Sequence, residues 1–516
     1  MSNLQLFQRT RGALVARATA VNEAGGAAYE REPQAALALY ATTGCLHGTF
    51  YADAQTQLDT LVAMCEAVSP VFVAKLALYA RMHAHMKDVP ALLLAHLACR
   101  DGALLEQVFN RVIDNGRMLR NFVQIVRSGT LGRKSLGSRP KRLVSRWLAR
   151  ASNEALMSAA IGDQPSLADV IRMVHPQPAC AEREALFAWL IGKPCAAEKL
   201  PAIVREYEAF KAHPSDCVPD LPFQYLTAMP LSAEHWKTIA SRSSWQATRM
   251  NLNTFLRKGV FDDAQLVQAI AKRLRDADAI KRSRVFPYQL MVAYKAAVGS
   301  MPEAILDALQ DAMEMATASV PALEGNVALA IDVSGSMASP ITGYRRGATT
   351  KVTCVDVAAL MVACIKRGNP KARVIPFAET VRELKLNARD SVLTQAQQMA
   401  SMVGGGTSVS APLAQLNREG IAPDLVVIVS DNQSWVDTRR GTGTETMRQW
   451  AALKARNPAA RLVCVDLQPY ATSQTQEALD VTHIGGFSDA VFSLLADVAQ
   501  GNQARRWTER IERMEL

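Results

Sequence analysis

From about residue 55 to 320, apolar positions recur at helical spacing and are interrupted at short intervals. Residues 57–68 place Leu58, Leu61, Val62, Cys65 and Val68 on one face of a helix. Ser69-Pro70 stops that run, residues 71–86 form the next, and Asp88-Val-Pro90 introduces another over 91–99. Residues 104–113 follow and end at Asp114-Asn-Gly116, a stop and turn signal. Pro140, Pro165, Pro194, Pro230, Pro287 and Pro302 mark further breaks, and strand-like alternation is nearly absent. Short helices joined by short loops predict stacked helix pairs, a solenoid or ring of irregular repeats. No clean internal period accompanies them.

The pattern changes at Asn326. Residues 327–331 are a short, wholly apolar run suited to a strand buried on both faces, and similar runs recur at 372–377, 425–429 and 462–465. Helical stretches at 353–366, 411–417 and 446–456 separate them. That alternation predicts an α/β domain with a parallel sheet, whose ligand sites lie outside the carboxyl ends of the strands. A last helix is expected at 504–514.

The strand ends carry the candidate chemistry. Asp332-Val-Ser334-Gly-Ser336 follows the first apolar run, Gly404-Gly-Gly-Thr407 precedes the helix at 411, and Ser430-Asp431-Asn432 follows the run at 425–429. A curled loop, which Gly335 permits, brings Asp332, Ser334 and Ser336 onto one cation, with Thr407 and Asp431 completing an all-oxygen set. Such a set suits Mg²⁺, which retains waters and leaves a position open for an acidic partner group. The plainer alternative is that Asp332 and Ser334 cap the next helix and Asp431 closes a turn. No nucleophile–base pair accompanies these residues, so a binding site is expected and no enzyme.

Composition narrows the classes. A chain of 516 residues, 49% hydrophobic and 21% charged, has ample core for two to four domains and is not mostly disordered. Nine cysteines with no Cys-x-x-Cys spacing argue against a zinc knuckle or a disulfide framework. The first residues lack a signal-peptide core, and no apolar run is long enough to span a membrane, so a soluble cytoplasmic protein is expected. His83-Ala-His85 places its histidines on different helix faces, which favours ordinary core or surface histidines over a metal site, His96 included.

The net charge of +10 is unevenly placed. Residues 326–516 hold 21 basic and 18 acidic side chains, a net of +3, which leaves +7 for the rest. Residues 116–150 alone hold ten basic side chains and no acid: Arg117, Arg120, Arg127, Arg133, Lys134, Arg139, Lys141, Arg142, Arg146 and Arg150. Arginine forks match phosphate oxygens, and Gly129, Gly132 and Gly137 allow close backbone approach. The Gly-x-x-Gly-Arg-Lys-Ser spacing is not that of a nucleotide-binding P-loop, so nucleotide hydrolysis is set aside. A nucleic-acid backbone is the expected ligand, the alternative being a solvated helical face. With 6% aromatic residues, extensive base stacking is not signalled, and Phe122 and Trp147 read as core anchors.

The pattern of Asp332, Ser334, Ser336, Thr407 and Asp431 resembles the metal-ion-dependent adhesion site of von Willebrand factor A domains. Over nearly its full length the chain resembles the Ro autoantigen family, which joins a ring of helical repeats (the TROVE module) to such a domain. Val21-Asn-Glu-Ala-Gly-Gly-Ala-Ala-Tyr29, Gly48-Thr-Phe-Tyr51, Gly132-Arg-Lys-Ser-Leu-Gly-Ser-Arg-Pro-Lys141, Arg249-Met-Asn-Leu-Asn-Thr-Phe255, Ser283-Arg-Val-Phe-Pro-Tyr288 and Asp332-Val-Ser-Gly-Ser-Met337 carry the resemblance. Its compact length is similar to bacterial members. The resemblance implies a HEAT-like α-helical ring over 1–322, an α/β von Willebrand A-like domain with a mostly parallel sheet over 323–503, and a C-terminal helix over 504–516. It also implies a monomer that binds small noncoding (Y-like) RNAs on the outside of the ring. Single-stranded 3′ ends of misfolded RNAs would pass through the hole, with polynucleotide phosphorylase or another exoribonuclease as partner. Leu167 departs from the family, whose vertebrate members have His there near the Y RNA surface.

Candidate RNA contacts are Arg127, Arg133, Lys134, Arg139, Lys141, Arg142 and Arg146 in the basic stretch. Arg249, Arg257, Lys258, Arg282 and Arg284 are candidates for the hole. The competing reading is a Mg²⁺-dependent protein-interaction adaptor in which the helices are only a scaffold.

Overall fold

The computed structural model describes residues 15–43, 53–162, 165–214, 217–283, 285, 287–317, 320–343, 352–387, 389–436, 443–500 and 507–516. Helices occupy most of the chain up to Thr317, and each packs mainly on near neighbours in sequence. The punctuation that ends one helix starts the next. Ser69 caps Pro70–Met82 by accepting from the Phe72 amide, with Pro70 in the first turn where its missing N–H costs nothing. Asn115 likewise caps Gly116–Arg127 through the Met118 amide, and Asp101 caps Gly102–Val112. Phe122 is fully buried edge-on against Phe109, and Trp147 donates to the Ile113 carbonyl while its ring packs on the same core.

Beyond Leu323 the chain forms five parallel strands: β3 (Val327–Asp332), β4 (Arg373–Phe377), β5 (Leu425–Ser430), β6 (Arg461–Asp466) and β8 (Val481–Gly485), in spatial order β4-β3-β5-β6-β8. Alternate residues divide the two faces. Leu329, Ile331, Val427, Val429, Val463 and Val465 face the helix Cys354–Gly368 and a core continuous with that of the helical section. Ala328, Ala330, Val426, Ile428, Leu462 and Cys464 face a separate core with Leu413, Leu416, Trp450 and Leu453 from the helices Ala411–Arg418 and Glu445–Arg456.

Besides the helix Pro33–Thr43 and the two-residue β7 (Thr472–Ser473), four elements lie outside the sequence reading. β8 interrupts its apolar pattern with Thr482 and His483, and the helices Val392–Ala400 and Asp489–Ala499 also form. The fourth is a hairpin of β1 (Ala20–Val21) and β2 (Ala27–Glu30), which pairs antiparallel with the two-residue β7 (Thr472–Ser473). Elements this short carry no usable periodicity.

Both ends of the helical section rest on the α/β domain, which closes it into a ring. At its start, the helix Pro33–Thr43 packs on β8, where Gly485 leaves room for Leu39, Thr42 and Trp507. At its end, Tyr288 meets Phe487 edge-on at 4.9 Å, and Lys295 bridges to Asp356 at 2.6 Å. The final helix is described over Trp507–Glu512, within the expected 504–514; residues 501–506 lie outside the described ones. It packs on Pro70–Met82, with the Trp507 indole donating to the Tyr79 hydroxyl at 3.1 Å. Among the described residues eight cysteines are free, and no helix is long and apolar enough to cross a membrane. Trp507→Ala should lower unfolding stability in urea by about 3 kcal/mol, the ordinary cost of emptying a buried aromatic site. A loss below about 1 kcal/mol would show that this helix does not hold the closure together.

Candidate metal centre and basic surface

Asp332 ends β3 and Asp431 follows β5, at the carboxyl ends of adjacent strands, while Thr407 arrives from the glycine loop ahead of Ala411. The loops are laced together: Gly335 N–H donates to the Gly405 carbonyl at 2.9 Å and Gly404 N–H to Val333 at 2.8 Å. Gly405, at φ +84°, adopts a backbone that side chains disfavour. One Asp332 oxygen accepts from the Ser334 amide at 2.8 Å, and the other from the Ser430 hydroxyl at 2.5 Å. The Ser334 and Ser336 hydroxyls lie 3.3 Å apart, and Asp431 accepts from the Gln433 amide at 3.4 Å. All five residues are buried. The structure therefore gathers Asp332, Ser334, Ser336, Thr407 and Asp431 at one edge of the sheet.

Burial raises the Asp332 carboxyl above the usual carboxylate range, even against its hydrogen bonds from Ser334 and Ser430. Burial, then the neighbouring Asp332, then Asp466 push Asp431 up to about 7. Neither carboxylate has a basic side chain as partner among the described residues. Two buried, mutually repelling carboxylates with hydroxyls beside them fit a hard divalent cation, which would replace the missing counter-charge. Among the described residues no group of three or more His, Cys, Asp or Glu side chains forms a second centre. His96 lies buried 3.7 Å from Glu66, and His83 stacks on Tyr79.

The basic stretch forms the helices Gly116–Arg127 and Ser138–Arg150 with the loop between them. Its charges divide into two groups. Arg120 is buried and donates to the Ile161 and Pro165 carbonyls. Arg133, expected as an RNA contact, is turned inward: it donates to the Ala98 carbonyl at 2.9 Å and fills the space beside Gly137. Arg142 and Arg146 share Glu106, whose carboxyl their hydrogen bonds and charges lower. Glu106 comes from the preceding helix, which explains why the stretch itself contains no acid. Arg117, Arg127, Lys134, Arg139, Lys141 and Arg150 have no ion-pair or hydrogen-bond partner among the described residues.

Of the residues expected at the hole, Arg249 is also turned inward. It donates to the Gln289 carbonyl at 2.9 Å beside Tyr288, so it ties two helices instead of presenting charge. Arg257 folds onto its own helix, donating to the Asn253 carbonyl at 3.2 Å, and Lys258 lies over the Trp236 ring at 5.6 Å. Arg282 is exposed with no partner among the described residues, and Arg284 lies outside them. Sequence reasoning passed over Lys272 and Lys281, both exposed and without an ion-pair or hydrogen-bond partner among the described residues. Leu167 is buried in the core and offers no surface to RNA.

A section of helices closed by a parallel α/β domain with this Asp-x-Ser-x-Ser, Thr and Asp set is similar to the TROVE–von Willebrand A proteins. Family models agree: "Ro60 vWA domain" matches residues 326–499 and "TROVE domain" matches 224–325. Together the two models span residues 224–499, where the chain is similar to the Ro family. It is 26% identical over 518 aligned positions to the RNA-binding protein RO60 of Deinococcus radiodurans, covering 93% of this chain and 95% of that one. A Caenorhabditis elegans RNA-binding protein RO60 is 24% identical over 287 positions, 52% of this chain and 42% of that one. The crystal structure of the Deinococcus radiodurans RO (RSR) protein shares the fold with a TM-score of 0.63 and 23% identity, covering 91% of this chain and all of that one.

The raised carboxyls set the pH dependence. Without a cation, the folded state holds a proton on Asp431 more tightly than the unfolded chain does, so stability falls as pH rises from the ordinary carboxylate range toward 7. A cation must displace that proton, so Mg²⁺ affinity should weaken about tenfold per unit below pH 7 and level off above it. Calorimetric Mg²⁺ titrations between pH 5.5 and 8 test this. A flat profile would mean that Asp431 takes no part.

Proposed function

We propose that this chain is a non-catalytic RNA-binding protein of RNA quality control. It would hold small noncoding, Y-like RNA on the outer basic face and take single-stranded 3′ ends of misfolded RNA at the ring. A Mg²⁺-type cation would sit at the Asp332 site, and an exoribonuclease is the partner class. One observation carries the RNA reading: six arginines and lysines along residues 117–150 have no ion-pair or hydrogen-bond partner among the described residues. Unneutralised cations crowded on one helix–loop–helix face repel one another, and a polyphosphate backbone relieves that repulsion. Its relatives' names supply the ligand class. Adjacent to the cation site, Trp435 and Val436 are 47% and 42% exposed, which favours protein recruitment as an additional role of the α/β domain.

Phosphate contacts make affinity fall linearly with salt on logarithmic axes. Changing Arg127, Lys134, Arg139 and Lys141 together to Ala should reduce that slope by about 3, near 0.7–0.9 per lost contact. Unchanged slope and affinity in a folded variant would place RNA elsewhere. Blunt duplex should bind less tightly than the same duplex with a 3′ extension, and equal affinities would remove the 3′-end reading. Asp332→Ala should abolish Mg²⁺ binding yet keep RNA affinity within about threefold, ~0.65 kcal/mol. A tenfold loss, or the same loss with EDTA, would mean that metal bridges the RNA. Absence of RNA binding altogether would leave the protein-interaction adaptor.

A further inference from the structure

The loop that carries Asp431 is held from outside its own domain. Its backbone runs through Asn432, in a left-handed conformation at φ +62°, to Gln433 and Ser434. Two contacts reach this loop directly from the N-terminal hairpin, more than 400 residues away in sequence, and a third is bridged by Gln474. Asn22 Nδ2 donates to the Ser434 carbonyl at 2.7 Å, with both residues buried. The Glu23 amide donates to Gln433 Oε1 at 3.1 Å. Gln474, beside the hairpin's partner strand β7, donates to Ala27 O at 3.1 Å and to Ser434 O at 3.4 Å.

These contacts continue inward to the candidate cation ligands. The Gln433 amide donates to Asp431, and the Ser434 hydroxyl donates to the Thr407 carbonyl at 3.2 Å while accepting from the Val409 amide. Ser434 therefore joins the Thr407 loop to the Asp431 loop, and the hairpin fixes Ser434. Asn432 is clamped from the same side by Ser473 and the Gln474 amide at 2.8 and 3.2 Å. At the base of the hairpin, Arg31 makes a buried ion pair with Asp466 at 2.9 Å and meets His483 Nδ1 at 3.0 Å. A loose surface strand does not normally bury a guanidinium against a carboxylate, so the hairpin is a built component of this face.

We propose that the N-terminal hairpin positions the cation site, with Asn22 as its central positioning residue, so that divalent-cation binding and hairpin docking are reciprocally coupled. The inference rests on reading Asp332, Ser334, Ser336, Thr407 and Asp431 as a cation site. Holding Asp431 and Thr407 in place before the cation arrives removes an ordering cost from binding. By linkage, the bound cation must hold the hairpin with the same free energy. Metal at the α/β domain thereby tightens one of the joints that close the ring.

The test uses the full chain with Mg²⁺ as the only ligand. Asn22→Asp keeps the oxygen that accepts from Gly26 at 2.7 Å but replaces the donor to Ser434 with a second acceptor. Its Mg²⁺ affinity, measured by calorimetry, should fall at least fivefold. Val21→Ala, a change at a side chain 67% exposed, should leave affinity within twofold. In the unmodified protein, saturating Mg²⁺ should slow hydrogen exchange at residues 22–30, the Glu23 amide foremost, by fivefold or more. Affinity within twofold for a folded Asn22→Asp, or exchange at 22–30 indifferent to Mg²⁺ while it binds, overturns the coupling and leaves the cation site standing. Should Asn22→Asp fail to fold, the exchange result on the unmodified chain decides alone. No Mg²⁺ binding by the unmodified protein would instead overturn the cation site, and the coupling with it.

Discussion

An open array of helices has two ends, and each leaves an apolar face that water would otherwise meet. The rest of this structure depends on how those ends are covered. A single α/β domain serves both, through Gly485 against Leu39 and Trp507 on one side and Tyr288 against Phe487 on the other. One face of its sheet thus belongs to the same continuous core as the helices. The domain is not a bead on a linker, because its inner face has no solvent-compatible surface to expose. Closure also uses the extremities of the chain, the hairpin before Arg31 and the helix from Trp507, which are the parts that fray most readily unless tied down.

A second constraint acts at the carboxyl edge of the sheet. Parallel strands buried on both faces end at a row of loops, and polar groups drawn there are desolvated together. Asp332 and Asp431 are buried next to one another with hydroxyls and amides for company but no basic side chain among the described residues. Hydrogen bonds offset part of the desolvation, yet the mutual repulsion remains while both are charged. Either one proton stays or a cation arrives. On the proposed reading of a cation site, that choice would make it responsive to pH and to divalent ions.

Much of this was legible in the residues, for identifiable reasons. Apolar runs at 327–331 and 425–429 are unambiguous because a strand buried on both faces has no polar positions. Asp-x-Ser-x-Ser was readable because its ligands lie within five residues and follow such a strand. The hairpin was not, since its partners lie over 400 positions away and its strands are two and four residues long. The role of individual arginines was hidden for a related reason. Composition shows that residues 116–150 hold ten cations, but only packing shows that Arg120 and Arg133 serve carbonyls and that Glu106, from another helix, claims two more. Arg249 shows the same limit: a guanidinium is as good at tying helices as at meeting phosphate.

That division of labour among the cations bears on how the two modules share one molecule. The helical section carries +7 and the α/β section +3, so long-range attraction for a polyanion is directed mainly toward the ring. Salt screens this attraction within about 10 Å, so only the unpaired side chains near the surface contribute to contact. The strand-end face offers a different chemistry: neutral hydroxyls, two carboxylates, and an exposed indole at Trp435 resting on Gly406. With its carboxylates uncompensated, that face repels phosphate. With a cation in place it accepts an oxygen ligand, and the neighbouring Trp435 and Val436 favour one carried on an apolar surface. On the proposed reading a polyanion and a second partner would use separate faces of one chain, and the hairpin at Asn22, which joins the helical section to the Asp431 loop, would be the link between them.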